Sequence, residues 1–212
     1  MTRKKRKAAY HHGNLRAALI ECGLELIQEK GMRALTLREI GSRLGVSRSA
    51  AYRHFADKAA LLAAISEAGF VEFGDALEAA KHAAGEDFGP RLEAMGIAYV
   101  RFAWQRRAHF EVMFSEPPQP DCPPSEAGLR AFGILEQTIR EGQQTGEVRA
   151  GDSKLLARAV WAFVHGVAML RMDEGAEPNF MQFGADVLTR GVENRNRVRV
   201  SPETAPSVPA NR

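Results

Sequence analysis

The residues with the clearest chemical purpose lie in one window, residues 37–55, which reads LREIGSRLGVSRSAAYRHF. It contains Arg48, whose guanidinium can donate two parallel hydrogen bonds to the O6 and N7 acceptors of guanine in the major groove. Ser49 beside it is a short, adaptable hydroxyl, and the surrounding hydroxyl, imidazole and cationic groups suit contacts with phosphate oxygens. The window therefore predicts a DNA-binding surface formed by Thr36, Arg38, Ser47, Arg48, Ser49, Tyr52, Arg53, His54 and Lys58.

Two short helices joined by a tight turn must position these groups. The first opens with Thr36 and Glu39, which have the spacing of a capping box. In that motif the Thr hydroxyl accepts the Glu amide, and the Glu carboxylate reaches back to the Thr amide. This helix ends at Gly45, and a second one follows the N-cap residue Ser47. The spacing is that of a helix-turn-helix, whose second helix enters the major groove.

The packing between these two helices depends on small side chains. We expect Gly41 to keep the first helix thin where the second one crosses it. Ile40, Leu44, Val46 and Ala51 are the apolar residues available to form the small core between them. Only with this core in place can the second helix project from the body of the protein.

The charge distribution supports a polyanionic partner for the same end of the chain. The 212 residues carry a formal charge of +3, yet residues 1–60 contain 13 Lys and Arg against five Asp and Glu, which is +8, and residues 61–212 carry −5. Such asymmetry is expected where one end of a protein meets nucleic acid. A basic tail without a partner explains the charges before residue 8, but not the six cations spread over residues 33–58, inside periodic segments.

Composition and periodicity predict an all-α protein. The chain is 45% hydrophobic and 26% charged, as in ordinary soluble proteins. Its longest uncharged apolar stretch, residues 159–170, is shorter than a membrane span, and no apolar run follows the basic N-terminus as in a secretory signal. We therefore expect a cytoplasmic protein that associates with the nucleoid when bound to DNA and has no membrane partner.

The helical pattern continues along the whole chain without a convincing strand. We expect helices from about residue 14 to 30, from Asp57 onward, around Pro90, and again near Ser125, Asp152 and Pro178. The Pro90 helix has two apolar stripes, which predicts that it is covered on more than one side. The stripes comprise Leu92, Met95, Tyr99 and Phe102, and Ile97, Val100 and Trp104.

Four segments follow from these patterns. Residues 1–12 form a basic arm, and residues 13–60 form a three-helix DNA-binding domain with a helix-turn-helix. A long helix joins it to a C-terminal helical domain over residues 61–192. Residues 193–212, with three prolines and few large apolar side chains, are expected to be a disordered tail.

The first third of the chain resembles the DNA-binding domain of a known family. The segments YHHGNLR at 10–16, LREI at 37–40, LGVS at 44–47 and YRHF at 52–55, followed by Lys58 and residues 61–62, are similar to the DNA-binding domain of tetracycline-repressor (TetR) family regulators. The resemblance implies that Arg38, Arg48 and Ser49 approach bases and that Thr36, Tyr52, Arg53, His54 and Lys58 approach the backbone. Two residues depart from the usual pattern: Gly41 stands where alanine is common, and Ala51 where a larger apolar residue is common.

The second half resembles TetR-family effector domains with a Trp-His-Gly signature, through YVRFA at 99–103, HFEVMF at 109–114 and WAFVHG at 161–166. Arg107 departs from the proline often found in the middle segment. The resemblance implies a helical domain around a ligand cavity, with the last two helices pairing in a homodimer. A dimer also follows from mechanism, because one short recognition helix reads too few bases, whereas a two-fold dimer reads a palindrome.

The candidate effector contacts are apolar and aromatic. Trp161 and His165 share a helix face, as do Phe110 and Phe114, which predicts an apolar surface with one titratable group. For His165 a satisfied core histidine is the simpler interpretation, and the methionines are equally typical of a core. The predicted ligand contacts are Phe102, Phe110, Met113, Trp161 and His165, and the expected effector is a small apolar or amphipathic molecule.

The sequence also bears on two other classes of function. An enzyme would draw on six histidines, but the sequence has no Gly-x-Ser-x-Gly, P-loop or His-Glu-x-x-His motif, so no catalytic residue is predicted. Cys22 and Cys122 lie 100 positions apart without a second ligand pair, so we expect no metal site, disulfide framework or cofactor. A DNA-binding regulator whose second domain only dimerises or binds a protein remains the alternative, and a cavity of roughly 300–1,000 Å³ would argue against it.

Overall fold

A computed structural model describes residues 15–115 and 124–170, together with residues 184, 186–187 and 190–193. Eight helices account for most of these residues, which confirms the all-α prediction. They are α1 (Leu15–Lys30), α2 (Leu37–Leu44), α3 (Arg48–His54), α4 (Lys58–Ala83), α5 (Phe88–Gln105), α6 (Arg107–Met113), α7 (Glu126–Gln144) and α8 (Ser153–Leu170). The basic arm, the proline-rich connection at 117–123, most of the helix predicted after Pro178 and the tail after residue 193 lie outside the described residues.

Local capping explains where the helices begin. Ser47 Oγ accepts a hydrogen bond from the Ala50 amide at 3.2 Å, and Asp57 Oδ1 accepts one from the Ala60 amide at 2.8 Å. Ser125 caps α7 in the same way. Each contact satisfies one of the amides that have no partner in the first turn of a helix. The predicted starts of α3, α4 and α7 are confirmed.

The capping box of α2 is formed only in part. Thr36 Oγ1 accepts the Glu39 amide at 3.2 Å, as predicted. The Glu39 carboxylate does not reach back to the Thr36 amide, because it lies 3.4 Å from Arg43 Nε and 3.6 Å from Lys30 Nζ. The second half of the predicted capping box is therefore wrong, and Glu39 instead links α2 to the end of α1.

Gly41 is not required for close packing, contrary to expectation. A Cβ built on Gly41 would lie 3.6 Å from the Val46 carbonyl oxygen and 3.9 Å from Ala51 Cβ, which is ordinary van der Waals contact. Gly45, in contrast, has φ +68° in the left-handed region and ends α2. The tight turn, and not the helix crossing, is where the motif depends on glycine.

We expect Gly41→Ala to stabilise the protein by about 0.5–1 kcal/mol, since alanine loses less backbone entropy in a helix and the added methyl finds room. Gly45→Ala serves as the control and should destabilise, because alanine resists a positive φ. Urea denaturation of the two variants measures both changes. A loss of stability in Gly41→Ala would mean that α2 and α3 pack more closely than these distances indicate.

The helices enclose two hydrophobic cores that share α4. The first core joins α1, α2 and α3 to the beginning of α4, where Leu61 and Ile65 are fully buried. The second core joins α5, α7 and α8 to the later part of α4, where Phe73 is fully buried and Leu77 nearly so. The domain boundary proposed near residue 60 therefore lies at the start of a helix that continues through both cores.

The Pro90 helix is α5, and one of its two predicted stripes is buried as expected. Leu92, Met95, Tyr99 and Phe102 all lie in the second core. On the other stripe Val100 is buried, but Trp104, one residue before the end of the helix, is 38% exposed. At Arg106 the backbone leaves helical geometry, with φ −114° and ψ 41°, and α6 begins in a new direction. The expectation that α5 is covered along both stripes is therefore wrong at its C-terminal end.

Among the described helices, α8 is long and apolar enough to cross a membrane by length and composition alone. Its packing gives the simpler explanation of that composition. Leu156, Val160, Val164 and Val167 are buried in the second core, against α5 and α7. A core helix of a globular protein meets the same criterion.

Candidate nucleic-acid interface and internal cavity

The turn between α2 and α3 fixes the direction of α3. The Val46 amide donates to the Gly41 carbonyl at 3.0 Å, which closes the turn around Gly45. Ala51 is fully buried, and Phe55, at the end of α3, is nearly so. Because these two side chains anchor one face of α3 in the first core, the opposite face is held outward.

That outward face carries most of the predicted base and phosphate contacts. Arg48, Ser49, Tyr52, Arg53 and His54 are all exposed. The Arg48 guanidinium carbon lies 5.3 Å from the centroid of the Tyr52 ring, one helical turn away. A cation over an aromatic face is attracted to it, so the Tyr52 ring orients the Arg48 side chain. The sequence prediction thus corresponds to one continuous exposed surface.

Two predicted contacts have a structural role as well. The Thr36 and Ser47 oxygens accept the amides of Glu39 and Ala50 and so cap α2 and α3. Accepting these hydrogen bonds leaves each hydroxyl hydrogen able to donate, and Ser47 Oγ also lies 3.1 Å from Ser49 Oγ. Both hydroxyls are exposed, so each can cap its helix and donate to a phosphate oxygen.

The two cations predicted at the edges of this surface differ in their surroundings. Arg38 is exposed in the first turn of α2. Lys58 is half-buried, and its ammonium donates to the Met32 carbonyl at 2.9 Å. Because an ammonium has three donors, this bond ties α4 to the turn after α1 without using all of them.

Arg16 is a nearby cation that was not among the predicted contacts. Its guanidinium carbon lies 5.4 Å from the Phe55 ring centroid, which brings a charge from α1 to the end of α3. Arg43 is different, because its guanidinium lies 2.8 Å from Glu29 Oε2 and 3.4 Å from Glu39 Oε1. The i, i+4 spacing of Glu39 and Arg43 could have indicated their contact, whereas the contacts of Arg43 with Glu29 and of Arg16 with Phe55 join different helices and have no signal in helical spacing.

In the second core, aromatic rings form a connected cluster. Phe73 is at its centre, with its ring centroid 4.9 Å from that of Tyr99 and 5.9 Å from that of Trp161, both nearly perpendicular. On the other side of Tyr99, the Phe114 and His165 ring centroids are 4.6 Å apart. Edge-to-face contacts of this kind add stability beyond the burial of apolar area.

Tyr99 and His165 form the polar contact of this cluster. The Tyr99 hydroxyl lies 2.8 Å from His165 Nδ1. Burial raises the pKa of the Tyr99 hydroxyl and lowers the pKa of the His165 imidazole. Both groups are therefore uncharged near neutral pH, and His165 Nδ1 has a hydrogen-bond partner inside the protein.

Next to this cluster is a narrow cavity of about 30 Å³. Its walls come from four helices and consist of Leu77, Leu92, Met95, Gly96, Tyr99, Leu135, Val160, Trp161 and Val164. Of the five predicted ligand contacts, Trp161 lines this cavity. Phe102, Phe110 and Met113 are buried within the core, and His165 stands behind Tyr99. The volume has room for one or two water molecules and is far below that of an ordinary ligand site.

The short helix α6 connects the two cores physically. Val112 belongs to the first core, where α6 meets α1, whereas Phe110 and Met113 belong to the second. Contact with α4 is also close, since a Cβ built on Gly69 would lie only 2.6 Å from Met113 Sδ. A movement of α6 would thus change the packing of both cores.

The outer face of α8 is apolar and exposed. Its exposed side chains recur at helical spacing and include small residues that allow another helix to approach closely. Leu170 is 71% exposed and Leu155 is 60% exposed. The face consists of Leu155, Ala159, Ala162, Phe163, Met169 and Leu170, and is called here the α8 outer face.

Comparison with known proteins gives two family matches. Residues 19–65 match the model described as bacterial regulatory proteins, tetR family, and residues 92–194 match the tetracyclin repressor-like C-terminal domain. The tetracycline repressor protein class C of Escherichia coli is 49% identical over 53 residues, which are 25% of this chain and 24% of that repressor. The matched segment of the chain therefore covers about a quarter of the length of that relative.

Solved structures match over more of the chain. A protein of unknown function from Rhodococcus sp. RHA1 is 31% identical, with a TM-score of 0.79 over 88% of this chain and 99% of that one. The SmeT–triclosan complex is 25% identical, with a TM-score of 0.61 over 90% of this chain and 98% of that one. The arrangement of both cores is thus shared with these proteins.

Proposed function

The chain belongs to the tetR family of bacterial transcriptional regulators, and we propose that it is a homodimeric repressor whose palindromic operator is released when a small molecule binds the C-terminal domain. The observation that carries this proposal is the outward face of α3, where Arg48, Ser49 and Tyr52 are exposed while Ala51 on the opposite face is fully buried. A helix held in this way is suited to enter the major groove.

Charge supports DNA as the partner. The first 60 residues carry a formal charge of +8 in a chain whose remainder is acidic. Cations attract phosphates and release counterions on binding, so operator affinity should fall steeply as salt concentration rises. We assign base contacts to Arg38, Arg48 and Ser49, and backbone contacts to Thr36, Ser47, Tyr52, Arg53, His54 and Lys58.

Dimerisation is supported by the α8 outer face. Large exposed apolar areas on a soluble protein mark interaction sites, and a self-complementary helix face pairs readily across a two-fold axis. Gly184, which follows α8 in the chain, lies beside the Phe163 ring, so this residue meets the same region. We propose that α8 and the segment after it pair with their copies in a second protomer.

The proposed coupling between ligand and DNA passes through α6. A ligand that changes the second core would shift Phe110 and Met113, and Val112 on the same helix would carry that shift into the first core. The ligand must favour the state that does not bind DNA, and by reciprocity the operator must weaken ligand binding by the same factor. The complex of SmeT with triclosan supports a small-molecule effector for this fold.

Selection of bound duplexes from a random pool tests the proposal, followed by titration of the selected sequence at two or more salt concentrations. The expected result is a palindrome bound by a dimer with steep salt dependence. Salt-sensitive binding without a selected sequence would contradict the operator assignment, and a single-subunit mass at micromolar concentration would contradict the dimer.

Substitutions at two cations should separate base reading from phosphate contact. We expect Arg48→Ala to lose about 1–3 kcal/mol on the operator and to relax specificity at one position in each half-site. Lys58→Ala should instead weaken binding to all sequences and reduce the salt slope. Titrations against the operator, single-base variants and random DNA distinguish the two effects.

The matched stability control is a thermal melt, since Lys58 also bonds the Met32 carbonyl. Equal losses on operator and random DNA for both variants would contradict the assigned roles. If Lys58→Ala melts at a much lower temperature than the wild type, its weaker DNA binding is explained by the lost contact with the Met32 carbonyl and not by a lost phosphate contact.

A second candidate function is favoured by the size of the cavity. At about 30 Å³ it is too small for an ordinary effector unless its walls move. In this alternative the C-terminal domain only dimerises or binds a protein partner, and the chain is a regulator without a small-molecule sensor. In both versions we propose a non-enzymatic, cytoplasmic protein that associates with the nucleoid on DNA.

A further inference from the structure

The cavity in the second core carries information about the chemistry of its occupant. None of its lining residues is charged, and its one hydroxyl-bearing residue is Tyr99. That hydroxyl already faces His165, which is not part of the lining. Apart from this hydroxyl and the indole N–H of Trp161, the side chains of the walls offer a ligand no hydrogen-bonding group.

Charged groups close to the cavity are balanced by each other. Lys81 lies one turn beyond Leu77 on α4, and its ammonium is 3.0 Å from the Glu141 carboxylate. Arg91, one residue before Leu92, lies 2.9 Å from Glu86 and 3.4 Å from Glu141. A ligand carboxylate or ammonium entering this cavity would lose its hydration without gaining an opposite charge, which is costly.

At Gly96 the wall of the cavity has no side chain, which leaves space beside the helix. A Cβ built on Gly96 would have no neighbour within 4 Å, although this glycine lines the cavity in the middle of α5. A side chain at this position would therefore occupy the space that a ligand needs. Met95 beside it is unbranched and adaptable, so this region can widen around a molecule larger than the cavity.

We propose that this cavity, opened by the missing side chain of Gly96, is the entry point of the effector site and takes an uncharged, apolar molecule with a flat ring. The preference for a ring follows from Tyr99 and Trp161 in the lining, whose rings are nearly perpendicular with centroids 5.4 Å apart, so a ligand ring can meet the face of one and the edge of the other. This inference rests on the proposed ligand-responsive function. It adds the chemical class of the effector and the residue that admits it.

Three probes with one ring system test the chemical class. They are naphthalene, which is neutral, 1-naphthoate, which is an anion, and 1-naphthylmethylammonium, which is a cation. Isothermal titration calorimetry of the full chain should give binding of naphthalene at least about tenfold tighter than that of either charged probe. Equal or tighter binding of a charged probe would overturn the class, and no binding of naphthalene would overturn the site.

Filling the cavity tests its location. Gly96→Val should weaken naphthalene binding by about tenfold or more, because its methyl groups take the open space. Gly133→Val is the matched control, since Gly133 also has open space around its Cβ position but lies on α7 outside the cavity lining. It should leave naphthalene affinity within about twofold of the wild type.

Operator binding separates this inference from the proposed function. Both variants should bind the selected operator like the wild type, and naphthalene should lower operator affinity in the wild type and Gly133→Val only. If Gly96→Val leaves naphthalene binding unchanged, the proposed site is wrong, but the proposal of a DNA-binding regulator is not affected. If the wild type itself does not bind the selected operator, the proposed function is contradicted.

Discussion

Ala162→Glu is expected to yield a folded monomer that no longer holds a palindromic operator. Ala162 lies in the middle of the α8 outer face and is exposed, so glutamate there should not disturb the fold of one chain. In a two-fold dimer the substitution occurs twice, and burying each carboxylate in an apolar interface removes its hydration. Arg158, exposed one turn earlier on α8, offsets this only in part, so we expect a cost of about 3 kcal/mol, which corresponds to a loss of dimerisation of about a hundredfold.

Sedimentation equilibrium and operator titration measure this effect, and circular dichroism checks the helical fold. Ala79→Glu is the matched control, because Ala79 is an exposed alanine on α4, away from the α8 outer face. It should remain dimeric and bind the operator. If Ala162→Glu stays dimeric with unchanged operator affinity, the interface lies on another surface.

Gly142→Ala is expected to destabilise the protein by about 1–3 kcal/mol, even though alanine is the better helix former. A Cβ built on Gly142 would lie 2.5 Å from Val148 Cγ2 and 2.8 Å from Phe88 Cδ2. Neither neighbour yields easily, because a valine side chain has one stiff rotation and a phenylalanine ring is rigid. The end of α7 would have to move away from the start of α5.

Gly133→Ala, on the same helix, should change the free energy of unfolding in the opposite direction. Nothing lies within 4 Å of a Cβ at Gly133, so the substitution should stabilise by about 0.5–1 kcal/mol. Urea denaturation followed by circular dichroism compares the two variants directly. Equal stability changes in both would show that helix propensity dominates and that the contact with Val148 and Phe88 relaxes at little cost.

These two glycines also illustrate where sequence reasoning ends. Gly133 and Gly142 look alike in the sequence, as helical glycines nine positions apart. Their environments differ because Phe88 and Val148 arrive from other elements and press on only one of them. For the same reason Gly41 was expected to sit at a close helix crossing and instead has room for a methyl group.

The positions of the predicted ligand contacts depend on the same kind of long-range packing. Trp161 and His165 share a helix, and the sequence predicted that they face the same apolar region. Only the packed structure joins Tyr99 to His165, 66 positions away, and leaves Trp161 at the cavity wall. The roles of these residues in ligand binding stay predictions.

The sequence by itself determined the features that a few neighbouring residues encode. Ser47, Asp57 and Ser125 mark helix starts because a cap needs only an oxygen and an amide three positions later. Gly45 marks the turn through its own backbone freedom, and the charge of +8 over residues 1–60 is a matter of composition. The family, the all-α fold and the exposed polar face of α3 followed from such local signals.

Tertiary structure decided what depends on distances between separate helices. It tied Lys58 to Met32, placed α6 between two cores and formed, among the residues that the structure describes, a cavity of about 30 Å³ lined by four helices. Helical periodicity tells which face of a helix is buried, but it does not tell which helix covers that face or how closely. Close packing makes those contacts a property of the whole assembly of helices, so no local pattern contains them.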